Sequence, residues 1–151
     1  MMPNSQEKNS FLCPCSSQKS YRECCKKYHD GALPENALLL MRSRYSAYAL
    51  QLAEYIIKTT HPDNPSYSTN SQMWKREILQ FTSSTQFEGL KIIEFIDGHD
   101  KATVVFTAYL RQGRDGSSHN ATFTEKSIFV KIGEEWLYKS GTLSSITNKK
   151  Y

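Results

Sequence analysis

The chain has 151 residues, with 19 Lys/Arg against 15 Asp/Glu (net charge +4), 38% hydrophobic residues and 12% aromatic. That length suits one domain with at most a small appendage, and the apolar share is enough to build a core. The charge is modest and spread out, so there is no basic stripe of the sort nucleic acid demands. The longest apolar run, Ala37 to Met41, falls far short of a membrane span.

Residues 1–10 are polar, offer nothing to bury and contain no apolar secretion segment, so they are expected to be disordered in a cytoplasmic protein. All four cysteines follow in the stretch CPCSSQKSYRECC, from Cys13 to Cys25. Two sulfurs at each end of an eight-residue loop can be brought to one point as the chain turns back. A divalent metal with tetrahedral preference and affinity for thiolate fits that set, and Zn2+ is the usual one. In an oxidising compartment the same spacing would allow two parallel disulfides across the loop.

So short a segment has no core of its own, and the ion would supply most of its ordering free energy, on the order of 10 kcal/mol. Tyr21 is the large side chain available to pack over the sulfurs. Lys19, Arg22, Lys26 and Lys27 either offset thiolate charge or form a solvated surface. His29 lies four positions after Cys25 and competes with it as the fourth ligand, because adjacent cysteines make a cramped pair; Cys25 is favoured, with His29 in reserve. Residues 1–30 are read as a zinc knuckle and 31–151 as a second unit.

Gly31 and Pro34 mark a loop, and a helix is predicted from Pro34 or Glu35 to Lys58, with Leu38, Met41, Tyr45, Tyr48, Leu52 and Tyr55 along its buried stripe. Arg42 and Arg44 fall on or beside its polar edges. After Pro62 and Pro65, Ser71 is the predicted cap of a second helix ending near Phe81. From Phe87 the pattern turns to strands: one to Asp97, a turn through Gly98, a strand Lys101–Gln112, a turn, a strand His119–Ile132, and a last strand Glu135–Lys139. The tail from Ser144 reads as frayed. Helices followed by antiparallel hairpins imply an α+β fold, a curved sheet wrapped on a long helix to leave a conical cavity.

The cysteine stretch resembles the SEC-C motif, the zinc knuckle at the end of the translocation ATPase SecA. LLLMRSRYSAYALQLAEYIIKTTHP and FTEKSIFVKIGEEWLYKSG are similar to the opening helix and closing hairpin of the YchJ-like family of bacterial proteins. Together these cover most of the chain from Leu12 to Gly141. The resemblance implies a zinc knuckle followed by a cone-shaped domain of the nuclear transport factor two-like type, with Cys13, Cys15, Cys24 and Cys25 as metal ligands. It implies no particular activity. Ser16 and Gln18 stand where the family knuckle usually has glycine, so the loop geometry is open to change. Thr124 and Ile128 replace a family histidine and arginine, whereas Glu125 and Ser127 match.

The chain has no phosphate loop, nucleophile elbow or His-Glu-x-x-His. A metal closed by four thiolates has no open position for catalysis. Glu125, between Phe123, Ser127 and Phe129, is the candidate pocket carboxylate. It is expected to act in proton transfer inside the cone, to pair with Arg42 or Arg44, or to face solvent. Tyr45, Trp74 and Phe106 would abolish such a pocket by filling it. His61, His99 and His119 read as surface residues.

The leading expectation is a zinc-binding accessory protein whose knuckle meets a protein partner, chaperone or ribosome-associated by analogy alone, with no membrane partner. A small-molecule binder or enzyme using the cone is the second reading. A nucleic-acid contact through Lys19, Arg22, Lys26 and Lys27 is the third.

Overall fold

The structure is a computed structural model that describes residues 11–113 and 116–144. The expectations for residues 1–10 and for the tail beyond Ser144 lie outside the described residues.

The chain begins as a miniature hairpin. Leu12 pairs with Ser20, Cys13 N donates to Lys19 O at 2.8 Å, and Tyr21 N donates to Phe11 O at 2.8 Å. Ser20 caps a 3-10 turn over Tyr21–Glu23, and a short helix α1 covers Lys26–His29. Ser16 and Gln18 take φ of 66° and 71°. The left-handed turns that family glycines would ease are therefore kept here by residues that carry a Cβ.

Helix α2 spans Ala37–Ala49, started by the Asn36 side chain, which accepts from Leu39 N at 2.8 Å. The single long helix predicted to Lys58 is broken: α3 covers Ala53–Lys58. The break has a definite geometry. Gln51 sits at φ 62° and donates to Tyr48 O at 3.1 Å, while Leu52 N reaches Ala47 O at 2.8 Å. That is a Schellman termination, in which glycine is the usual left-handed residue. Helix α4 spans Ser71–Ser83, and its cap is Asn70 rather than the expected Ser71; the Asn70 side chain accepts from Met73 N at 3.1 Å.

The sheet is antiparallel: β1 Thr85–Ile96, β2 Lys101–Gln112, the two-residue β3 His119–Asn120, β4 Phe123–Ile132 and β5 Glu135–Leu143. The order is β1-β2-β4-β5, with β3 beside the end of β2. Bulges at Phe87/Gly89, Ile92/Glu94 and Ile128/Phe129 curve it. Ala102, Val104, Phe106, Ala108 and Leu110 alternate inward along β2.

The predicted strand from His119 to Ile132 is interrupted because the Thr122 hydroxyl takes the Leu110 N–H at 3.2 Å, where a ladder carbonyl would stand. The last strand runs on past Lys139, since Ser140 to Leu143 pair with Ile128 to Glu125. Beside β5, Tyr138 N donates to Thr59 O at 2.9 Å and His61 N to Tyr138 O at 2.8 Å.

Helix α2 is buried nearly all round, its Leu40, Ser43, Ser46 and Ala47 fully so. The reason is its position: the cysteine hairpin packs on one side and the sheet on the other. Cys13, Cys15, Tyr21 and Cys25 share one hydrophobic cluster with Leu40, Met41, Leu90 and Phe106.

Candidate metal centre and cone cavity

The hairpin and the start of α1 bring Cys13, Cys15, Cys24 and Cys25 together, with all four sulfurs within 4.8 Å of one another. Cys15 and Cys24 sulfurs are 3.6 Å apart and those of Cys24 and Cys25 3.9 Å. A tetrahedron with metal–sulfur bonds of about 2.3 Å has edges of about 3.8 Å, so the spacing fits one zinc-sized ion. None of the four is joined in a disulfide. Without a cation, four sulfurs this close cannot all ionise. Hydrogen bonds from Cys13 and Cys25 favour the Cys15 thiolate, those to Cys13 and Cys15 drive the Cys25 thiol up, and burial pushes Cys24 up to about 11.

Donors converge on the cluster. Ser46 Oγ lies 3.2 Å from Cys13 Sγ and donates to Cys25 Sγ at 3.4 Å; Ser17 Oγ lies 3.1 Å from Cys24 Sγ. Arg42 Nη1 donates to Cys15 O at 2.8 Å. Ser16 Oγ accepts from Leu90 N at 3.0 Å, fastening the loop to β1. Hydroxyl and guanidinium donors around sulfur are the surroundings that thiolate ligands need.

His29 stands apart from the sulfurs. Its Nδ1 accepts from Tyr21 Oη at 2.6 Å and its Nε2–H donates to Ser43 O at 2.8 Å, so both nitrogens are engaged. Burial, the main cause, lowers its pKa. Tyr21 packs beside the cluster as expected and stacks on Phe11 at 5.2 Å. Of the nearby cations, Lys26 pairs with Asp30 at 2.6 Å and Lys27 lies over the Tyr28 ring, while Lys19 and Arg22 are exposed.

On the other side of α2 is a cavity of ≈ 350 Å³. Tyr45, Trp74 and Phe106 stand in its wall and leave the volume open; Tyr48, Phe81, Phe87, Phe123, Phe129 and Tyr138 are the other aromatic side chains of the lining. Glu125 lines it too. Its Oε2 accepts from Ser127 Oγ at 2.5 Å and from Tyr138 Oη at 2.9 Å. Burial first, then the Glu125 charge, pushes the Tyr138 phenol well above its usual range.

Neither arginine forms an ion pair with Glu125 among the described residues. Arg42 serves Cys15, as above. Arg44, expected on a polar edge, is buried; its Nη1 donates to Thr59 Oγ1 at 2.7 Å, Ile56 O at 3.2 Å and Thr60 Oγ1 at 3.2 Å, and its guanidinium lies 4.7 Å from the Tyr138 ring centre.

Gly141 faces Ser127 across β4 and β5, and a Cβ there would overlap the Glu125 carboxylate and crowd the Tyr138 hydroxyl. Sequence reading missed Tyr138, Gly141 and Ser46, because their roles arise from contacts across strands or helices. His61 is half-buried and its Nδ1 accepts from Asp63 N; His99 and His119 are exposed, the latter within β3.

Residues 36–141 match the YchJ-type middle NTF2-like domain. A UPF0225 protein of Yersinia pestis is 37% identical over 143 residues, covering 91% of this chain and 86% of that protein. Two solved SEC-C motif-containing proteins, from Rhodopseudomonas palustris and Psychrobacter arcticus, superpose with TM-scores of 0.72 and 0.66 at 28% identity. The first covers 87% of this chain and 98% of that one, the second 91% and 85%. With its cysteine cluster set in front of a curved, unclosed sheet, the chain belongs to the YchJ-like, UPF0225 family.

Proposed function

We propose that Cys13, Cys15, Cys24 and Cys25 hold one zinc ion in a closed structural site, and that the stapled knuckle is a docking surface for a protein partner in the reducing cytoplasm. The sulfur cluster carries the first half. Its four ligand atoms lie close enough for one ion, with Cys13, Cys15 and Cys25 buried and Cys24 half-buried, and four protein ligands leave a tetrahedral ion no open position. Zinc here would supply folding energy and a fixed shape, while Arg42, Ser17 and Ser46 orient the thiolates.

The surface of the same hairpin supports the second half. Leu12 is 64% exposed and Phe11 42%, beside the exposed cations Lys19 and Arg22. An apolar pair rimmed by charge, on a segment held rigid from behind, suits a protein contact. The likeness to the SecA knuckle directs the search to chaperone or ribosome-associated partners.

Protein purified under reducing conditions should hold one zinc per chain, and stripping it with a strong chelator should lower the melting temperature reversibly. Absence of stoichiometric zinc overturns the metal reading. A photo-crosslinker at position 12 should capture a defined partner in cells, and Lys19→Ala with Arg22→Ala should abolish the crosslink while leaving zinc content unchanged. A crosslinking pattern unchanged by that pair overturns the docking reading.

A further inference from the structure

We propose that the cone cavity is a binding site for a protonated organic amine with an apolar body. The cavity, ≈ 350 Å³, falls within the range of small-molecule sites, about 300–1,000 Å³. Half of its lining residues are aromatic, Tyr45, Trp74, Phe106 and Phe123 among them, and aromatic rings attract both apolar groups and cations.

Charge selects between ligand types. Glu125 receives two hydrogen bonds on Oε2, both from neutral hydroxyls, and among the described residues no donor reaches Oε1. Among the described residues Arg44 is the one cation in the lining; its Nη1 is engaged by Ile56 O, Thr59 Oγ1 and Thr60 Oγ1, and its guanidinium lies over the Tyr138 ring. Glu77, an exposed residue of the lining, adds a second carboxylate. An ammonium group finds a carboxylate oxygen in an apolar setting, where a charge-assisted hydrogen bond is strong. A carboxylate ligand meets repulsion instead.

The site is held in readiness. Ser127 and Tyr138 fix the rotamer of Glu125, and Gly141 leaves the space in which its carboxylate lies. Arg44 in turn steadies the Tyr138 ring from its face.

The probe is 4-phenylbutylamine, with 4-phenylbutyrate as its anionic counterpart, titrated into the zinc-loaded full chain and followed through the methyl resonances of Met41, Ile78 and Leu110. The amine should shift these resonances saturably and the carboxylate should not. Glu125→Gln keeps the shape and both hydroxyl contacts, and should weaken the amine about ten- to hundred-fold, the effect of losing one charge-assisted hydrogen bond. Three results overturn the proposal: no saturable shift with the amine, equal binding of amine and carboxylate, or undiminished binding by the variant. The first two need no variant, and zinc content, measured on the same samples, reports separately on the knuckle.

Discussion

Gly141→Ala tests the Glu125 arrangement directly. Gly141 lies in β5 with an ordinary negative φ, so alanine meets no backbone obstacle there, and in a strand it would gain roughly 0.5–1 kcal/mol over glycine. The obstacle is the carboxylate, which the new Cβ overlaps, along with the nearby Tyr138 hydroxyl. Glu125 must then leave Ser127 and Tyr138. Each hydrogen bond to a charged acceptor contributes about 1.5–3 kcal/mol, less at a half-exposed site, so the net loss should be about 1–3 kcal/mol. Urea unfolding at neutral pH, with an unchanged m-value, reads this as a lower midpoint. The decisive measurement is the cycle with Glu125→Ala, which removes the clash. In the Gly141→Ala background that second change should cost at least about 1 kcal/mol less than in the parent. Additivity within about 0.5 kcal/mol, or a harmless Gly141→Ala, would refute the cradle.

Gln51→Gly should stabilise the fold by about 1 kcal/mol, since it relieves a left-handed residue at an exposed helix end while loosening the unfolded chain somewhat; a lower melting temperature would contradict the Schellman reading. Arg42→Ala should weaken zinc binding about ten-fold in chelator competition by removing the donor to Cys15 O, and unchanged affinity would deny it a supporting role. His29 has a depressed pKa in the folded chain, so the unfolded chain binds its proton first as pH falls below the free value of about 6.5, and stability drops from there downward. Thermal melts at pH 7.5 and 5.5 should therefore differ more for the parent than for His29→Gln; equal differences would remove His29 from the account.

Much of the fold was legible because its signals are local. The β2 alternation and the turn through Gly98 read directly as a strand and a hairpin, and the cysteines are too few and too close to serve several purposes. The failures share a physical cause. Gln51 ends α2 without glycine or proline, so periodicity alone carries the helix onward through Leu52 and Tyr55. Ser140 to Leu143, beyond the predicted strand end at Lys139, carry little strand pattern of their own and are strand because they pair with β4. Arg44 reads as a surface cation, yet it is buried where α3 and the Tyr138 ring meet it, a contact between residues far apart in the chain. At the cavity, Glu125 could be singled out from its apolar neighbours on β4. Its donor Tyr138 and the clearance at Gly141 could not, since both come from β5.

Helix α2 is a common wall. Arg42 and Ser46 reach the sulfurs from one flank, while Met41, Arg44, Tyr45 and Tyr48 form part of the cavity from the other. At about 1.5 Å per residue, its 13 residues make a rod roughly 20 Å long, too short and too tightly packed to bend independently at its two faces. The cysteine cluster and the cavity thus share one helix, and a substitution that tilted its axis would displace residues of both at once.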